Sequence, residues 1–202
     1  MTGIISSNPA RTSGLIKAAS GGGGTWTKIA TSTASSSANI SFTSDIDSTY
    51  PIYCFEFINV HPADDNADLK FQCSIDGGSN YNVTMTTTAT NAWHNEGDSS
   101  TAFQYLNNEQ AQGTAFENLA TYVGADNDQC ASGYLHLFSP ASTVFVKHYI
   151  TRFNVLTHHD YNVDESRAGY FNTTSAINAI QFKFDSGNID SGLFKMYGIK
   201  DS

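Results

Sequence analysis

Apolar and polar residues alternate with a period of two along most of the chain after residue 25. Segment 69–75, for example, places Leu69, Phe71, Cys73 and Ile75 on one face. The alternation predicts strands over 26–32, 39–43, 53–60, 69–75, 81–88, 133–138, 143–155, 168–172, 177–184 and 193–199. No convincing period of 3.6 residues accompanies it. Many short strands with turn residues between them predict an all-β fold, an antiparallel β-sandwich of jelly-roll type.

Two regions of the pattern carry finer predictions. The D-G-G-S sequence at 76–79 is typical of a tight turn, and with its flanking strands it predicts a hairpin over 69–88. Residues 89–131 are irregular and rich in Asn, Gly, Asp, Ser and Gln. We interpret them as a long excursion with a short helix or 3₁₀ turn near 115–119, which would carry function or an interface. The alternative is a pair of weak strands.

The N-terminal 24 residues have a different pattern. Only two apolar pairs occur there, Ile4 with Ile5 and Leu15 with Ile16, and the basic residues are Arg11 and Lys17. A flexible hinge follows, formed by Gly21, Gly22, Gly23 and Gly24. We predict an extended anchoring arm and hinge over 1–24, joined to a sandwich domain over 25–202. In this hypothesis the arm docks on protein: Leu15 and Ile16 enter an apolar groove, and Arg11 and Lys17 meet acidic groups or carbonyls.

Composition and charge exclude several classes of function. The chain has 202 residues, of which 23 are Ser, 21 Thr and 17 Asn, and only 14% are charged. Its formal charge is −9, divided into +3 for residues 1–44 and −12 for the remainder. This acidic balance argues against nucleic acid as a partner. No apolar run is long enough to cross a membrane, and the N-terminus lacks the apolar core of a secretion signal.

Three cysteines at wide spacing, Cys54, Cys73 and Cys130, favour incidental thiols over a disulfide framework or a zinc site. No cofactor is expected.

Three polar clusters are candidate chemical sites, and for each the ordinary structural interpretation is favoured. His158, His159 and Asp160 have metal-ligand chemistry, but neighbours on one strand would point to opposite faces, and a solvated loop fits better. The oxygen-rich segment 64–68 could bind calcium, yet it lacks the Gly and the distal Glu of an EF-hand. Acidic residues near Trp93 (Glu96, Asp98 and Glu109) lack a second supporting motif for glycoside hydrolysis. We therefore predict no metal site and no enzyme.

Aromatic residues in the second half of the chain suggest a candidate ligand surface. Trp93, Tyr105, Tyr122 and Tyr134, with the hydroxyls of residues 86–88, would suit a glycan. The same residues would also serve as sandwich filling or as a protein contact surface, and that interpretation is the favoured one.

Longer stretches of the chain resemble a known group of proteins. They are ASSSANISFTSDIDSTYPIYCFEFINV at 34–60, DNADLKFQCSIDGGSNY at 65–81 and INAIQFKFDSGNIDSGLFKMYGIK at 177–200. Together they look like small β-rich virion proteins of tailed bacteriophages, notably aquatic ones. The resemblance covers most of 26–200 but not 89–131. It does not separate a capsid decoration or head-fibre protein from a tail-fibre module, and it offers no catalytic residues.

The resemblance implies a structural protein of a tailed-phage virion. It would be displayed on the particle and anchored through its arm on capsid, portal or tail proteins. Such proteins commonly form homo-oligomers, and a trimer is favoured because assembly covers open strand edges. The alternative is a glycan- or receptor-binding module used in host attachment.

Overall fold

The protein folds into two packed antiparallel sheets. The structure, a computed structural model, describes residues 25–200. Its strands are β1 (Trp26–Ser37), β2 (Ile40–Phe42), β3 (Ile52–Pro62), β4 (Ala67–Ser74), β5 (Met85–Asn95), β6 (Thr101–Tyr105), β7 (Glu117–Val123), β8 (Ala131–Phe138), β9 (Lys147–Leu156), β10 (Tyr161–Phe171), β11 (Ala179–Phe184) and β12 (Ile189–Ile199). The predicted fold class, an antiparallel β-sandwich of jelly-roll type, is confirmed.

The two sheets are unequal in size. The large sheet has eight strands in the order β1-β12-β3-β8-β9-β10-β5-β6, and the small sheet has four in the order β2-β11-β4-β7. Four strands cannot cover eight, so part of the large sheet has no strand of residues 25–200 above it. The edge strand β7 of the small sheet contacts β9 and β10, which leaves β5 and β6 as an overhang.

The hydrophobic core lies between the sheets and is rich in aromatic rings. Phe57 of β3 packs against Phe182 of β11 and Phe194 of β12, with ring centroids 4.9 and 5.4 Å apart. Phe71 of β4 packs on Tyr149 of β9 at 5.0 Å. Edge-to-face contacts of this kind add to the free energy gained from burying the rings.

A buried ion cluster fixes β7 of the small sheet to β10 of the large one. Arg167 donates from Nη1 to Oε1 of Glu117 at 2.9 Å and from Nε to Oε1 of Glu165 at 2.8 Å. All three side chains are fully buried. Oε2 of Glu165 accepts the backbone N–H and the hydroxyl of Thr121, 3.1 and 2.9 Å away. The cluster therefore joins the two layers by polar bonds where the core ends.

The same cluster orders the connection between β6 and β7. Asn108 accepts a hydrogen bond from Nη2 of Arg167, and Gln110 donates to Oε2 of Glu117. Thr87 of β5 donates to the same oxygen at 3.2 Å. Burial raises the pKa of Glu117, and the guanidinium of Arg167 opposes that shift. The polar residues of this part of the chain thus serve a buried network.

The interpretation of residues 89–131 as a long irregular excursion with a short helix was wrong. The segment near 115–119 is not a helix: it leads into β7, where Glu117, Leu119 and Ala120 are buried. The alternative of weak strands is the correct one, since residues 89–131 contain the end of β5, all of β6 and all of β7.

The predicted hairpin over 69–88 is also wrong. The turn at 76–79 exists, with Gly77 and Gly78 at φ of 71° and 89°. However, β4 pairs with β7 and β11 in the small sheet, whereas β5 pairs with β6 and β10 in the large one. The chain crosses between the layers after the turn and does not fold back within one sheet.

The three cysteines, Cys54, Cys73 and Cys130, are free thiols, and burial raises the pKa of Cys54 to about 12. No helix within residues 25–200 has the length and apolar character needed to cross a membrane.

The predicted arm and hinge lie outside the described residues. They comprise Ile4, Ile5, Arg11, Leu15, Ile16, Lys17 and Gly21 to Gly24.

The ion cluster generates a stability prediction. The substitution Arg167→Ala leaves Glu117 and Glu165 buried without their cation and should lower the free energy of unfolding by about 3–5 kcal/mol. The matched control is Arg152→Ala, which removes an exposed guanidinium paired with Asp164 and should change stability little. Urea denaturation followed by circular dichroism measures both. Equal, small losses in the two variants would contradict this role, and Arg167→Lys serves if the alanine variant does not fold.

Candidate functional site

A cleft of about 470 Å³ opens where the overhang of the large sheet meets the end of β7. Its volume falls within the roughly 300–1,000 Å³ typical of ligand sites. The lining residues come from four strands and two turns: Asn66, Asn91, Trp93, Gln104, Tyr122, Thr157, His158, His159, Tyr161 and Val163. The cleft therefore follows from the unequal sheets, because a fifth strand beside β7 would fill it.

Tyr122 lies in this cleft because β7 contains a bulge. The pairing of β4 with β7 shifts register between Ala67 and Leu69, and Tyr122 has a φ of 59°. Thr121 and Val123 on either side are buried, while the Tyr122 side chain is 54% exposed. Bulges re-aim side chains next to functional sites, and positive φ in a bulky residue is strained. The local backbone is thus distorted in a way that presents an aromatic ring.

Five rings form a continuous row along the cleft. Trp93 and Tyr161 are stacked, with centroids 5.0 Å apart and planes inclined by 6°. His159 lies 6.3 Å from Tyr161 and 3.7 Å from His158, whose centroid is 6.3 Å from that of Tyr122. The row combines apolar faces with imidazole nitrogens that donate or accept hydrogen bonds.

The turn between β9 and β10 holds the two histidines in this row. Thr157 donates its N–H to the carbonyl of Tyr161 at 3.1 Å and accepts that of Asp160 at 2.9 Å. Its hydroxyl accepts the N–H of Tyr161 at 3.2 Å. His158 donates its N–H to the carbonyl of Tyr122 at 3.2 Å. The turn is therefore tied both to itself and to the bulge in β7.

The polar groups of the cleft are amides, imidazoles and hydroxyls. Asn91 of β5 is 5% exposed, and its Oδ1 has no hydrogen-bond partner among residues 25–200. The same is true of Nδ1 of His158. A buried polar atom without a partner costs roughly 1–3 kcal/mol. Both are internal atoms of residues that line the cleft, so the contacts open to a ligand are the other polar atoms of its amides, imidazoles and hydroxyls.

The two polar clusters with metal-ligand chemistry, segment 64–68 and the His158–Asp160 turn, make hydrogen bonds within the fold. In segment 64–68, Asp65 accepts the N–H of Ala125, and Asp68 accepts that of Tyr122 at 2.9 Å. Burial raises the pKa of Asp68, while the Tyr122 N–H favours its ionised form. Asp160 accepts a bond from Gln129. Across residues 25–200, no three His, Cys, Asp or Glu side chains are placed to hold a metal ion.

The arrangement of the histidine pair differs from the one expected. His158 and His159 lie in a turn, not on a strand, and their rings are adjacent instead of pointing to opposite faces. The interpretation as a loop between two strands is confirmed. Of the acidic residues considered for hydrolysis, Glu96 and Asp98 are exposed on the β5–β6 turn, where Asp98 pairs with His94 at 3.0 Å.

The structure brings together two of the four aromatic residues of the candidate ligand surface. Trp93 and Tyr122 line the cleft. Tyr105 pairs opposite Thr90, and Tyr134 pairs opposite Arg152, so both side chains point to the outer face of the large sheet. The four residues therefore do not form one surface.

Tyr161, the stacking partner of Trp93, was not predicted from the sequence as a ligand contact. Nor were the amide residues Asn66, Asn91 and Gln104. Tyr161 is 68 positions from Trp93 along the chain. Only the pairing of β5 with β10, which places Tyr161 opposite Asn95, makes them neighbours. No local signal in the sequence marks that pairing.

Comparison of the chain with protein-family models, with curated proteins and with solved structures finds no match. The resemblance to phage virion proteins therefore remains a prediction from the sequence.

Proposed function

We propose that the sandwich domain is a saccharide-binding module, without enzymatic activity, that takes a neutral sugar segment in the cleft. The observation that carries this proposal is the row of five rings beside the amide side chains of Asn66, Asn91 and Gln104. Sugar rings have an apolar C–H face, which packs on aromatic rings, and hydroxyls, which need donors and acceptors of both kinds. The cleft supplies both kinds of contact.

The charge of the lining favours a neutral saccharide over a charged ligand. Among the residues that line the cleft there is no Lys, Arg, Asp or Glu. Phosphate and carboxylate ligands are most often held by guanidinium or ammonium groups, and cationic ligands by carboxylates. Amides such as Asn66, Asn91 and Gln104 donate and accept without that charge preference.

The setting of this binding is proposed from the sequence. The resemblance to tailed-phage virion proteins and the predicted arm favour display on a particle surface, with the sandwich outward and the arm on capsid, portal or tail proteins. Host surface glycans are the matching ligand in that setting. The location would be the virion, head or tail.

Removing either exposed end of the ring row should weaken sugar binding. Trp93→Ala and Tyr122→Ala should each lower the affinity for the best neutral oligosaccharide at least tenfold, about 1.4 kcal/mol. The matched control is Tyr134→Ala, which removes an aromatic ring from the opposite face and should leave the affinity unchanged. A glycan array selects the ligand, and isothermal titration measures the variants.

Two results would contradict the proposal. One is the absence of any binding at millimolar neutral sugar by the folded protein. The other is an equal loss of affinity in Tyr134→Ala, which would place the ligand elsewhere. Thermal unfolding of each variant separates lost binding from lost structure.

The anchoring hypothesis has its own experiment. Deleting residues 1–20 should leave a folded, soluble domain that no longer joins the particle, because the apolar pairs of the arm are gone. Leu15→Asp with Ile16→Asp should have the same effect in the full chain. Virions are purified and probed for the protein, and normal incorporation of the truncated form would overturn the hypothesis.

A further inference from the structure

We propose that the outer face of the large sheet binds a second copy of this chain. This surface, called here the outer face, is the side of the large sheet directed away from the small sheet. No strand of residues 25–200 covers it. It lies opposite the cleft, so the proposal is independent of sugar binding.

Most of the exposed large apolar side chains lie on this face. Strand pairing forms rows across the sheet, one of them joining Tyr134, Arg152, Ser166, Thr90 and Tyr105. A neighbouring row contains His136, Ile150, Ala168 and Thr88. At the β6 edge, Phe103 is 74% exposed. The β1 end of the same face carries Trp26, packed on His136 and Tyr197. Exposed aromatic rings are enriched in protein interfaces, and this face groups several of them.

The centre of the face is a shallow depression lined mostly by small side chains. Thr88, Thr90, Ser166 and Ala168 surround Ile150, which is 41% exposed. Short side chains let another surface approach closely, and Ile150 offers a central apolar contact. Interfaces resemble this arrangement, with an apolar centre and a polar rim.

The charge of the face favours a copy of the same chain as its occupant. The chain has a net charge of −9, so two copies repel each other wherever acidic surfaces meet. On the strands β9, β10, β5 and β6, the outward charged side chains are Arg152 and Asp164. They neutralise each other through two bonds of 2.8 and 2.6 Å. On β3 and β12 the same face carries Glu56 opposite Lys195. Opposite charges placed in pairs leave this face with little of the chain's negative charge, so it is where such acidic molecules can associate.

The available area is sufficient for a stable contact. Eight strands spaced about 4.8 Å apart give a face roughly 38 Å wide, and strands of this length make its area on the order of 1,000 Å². A standard protein interface buries about 800 Å² on each partner. The outer face alone could therefore form a specific homo-oligomer.

The edge of the sheet continues the same surface. The edge strand β6 (Thr101–Tyr105) contains no charged residue and no proline, which are the usual protections of an open edge. Its outward residues Phe103 and Tyr105 lie beside Ala92 and Thr90 of β5. Assembly over the outer face would bury these rings.

The test is the mass of the full chain in solution. Light scattering after gel filtration, with sedimentation velocity over a dilution series, should show an oligomer for the wild-type protein. Ile150→Asp and Phe103→Asp should each shift its dissociation constant at least tenfold toward monomer. The matched control is Ile75→Asp, which changes an isoleucine of similar exposure, 43%, beyond the end of β4, and should leave the oligomer intact.

A monomeric wild-type protein would overturn the proposal. So would an oligomer that survives both outer-face substitutions, since the contact would then involve the arm or another surface. Dissociation by Ile75→Asp as well would point to general destabilisation and would also count against it. Circular dichroism of each variant confirms that the fold is kept, and two outer-face variants guard against one that fails to fold.

Discussion

The buried bonds of Arg167 decide how the two sheets of this protein meet. A guanidinium between two buried carboxylates is stable only while all its partners are in place. Those partners lie on β7, on β10 and in the connection that follows β6. The cluster therefore fixes the edge of the small sheet above β10 and leaves β5 and β6 without a covering strand. An apolar contact at this point would permit sliding, whereas directional hydrogen bonds define one position.

The surfaces of interest follow from that placement. Thr121 is hydrogen-bonded to Glu165, and the bulge directs the side chain of the next residue, Tyr122, into the space beside β5 and β6. The β9–β10 turn adds His158 and His159 there. The inner side of the overhang thus becomes a cleft with rings and neutral amides. No strand of the described residues 25–200 covers the outer side, and its small and apolar residues suit contact with a copy. One sheet supports two proposed contacts on opposite faces, so loss of one need not disturb the other.

The sequence predicted the strands in which apolar and polar residues alternate because one face lies in the core. Its prediction of strands failed where polar residues point inward. Along β5, the inward positions include Thr87 and Asn91, which face the ion cluster and the cleft. Their polarity hides the strand from any hydropathy pattern. Bulges are equally invisible: Asn59, at a φ of 50°, breaks the alternation of β3, so that Val60 is buried on the same side as Phe57. The candidate site contains both inward polar residues and a bulge. For that reason the sequence predicted only two of its five rings, Trp93 and Tyr122, as contacts of a small ligand.

The most direct test of the account is a single NMR titration. The chain has two tryptophans, Trp93 in the cleft and Trp26 on the outer face, so its spectrum holds two indole N–H signals. Adding a neutral oligosaccharide to isotope-labelled protein should shift the Trp93 signal progressively and leave that of Trp26 in place. Shifts confined to Trp26, or no shift of either signal at saturating sugar, would contradict the claim that the cleft is a saccharide site.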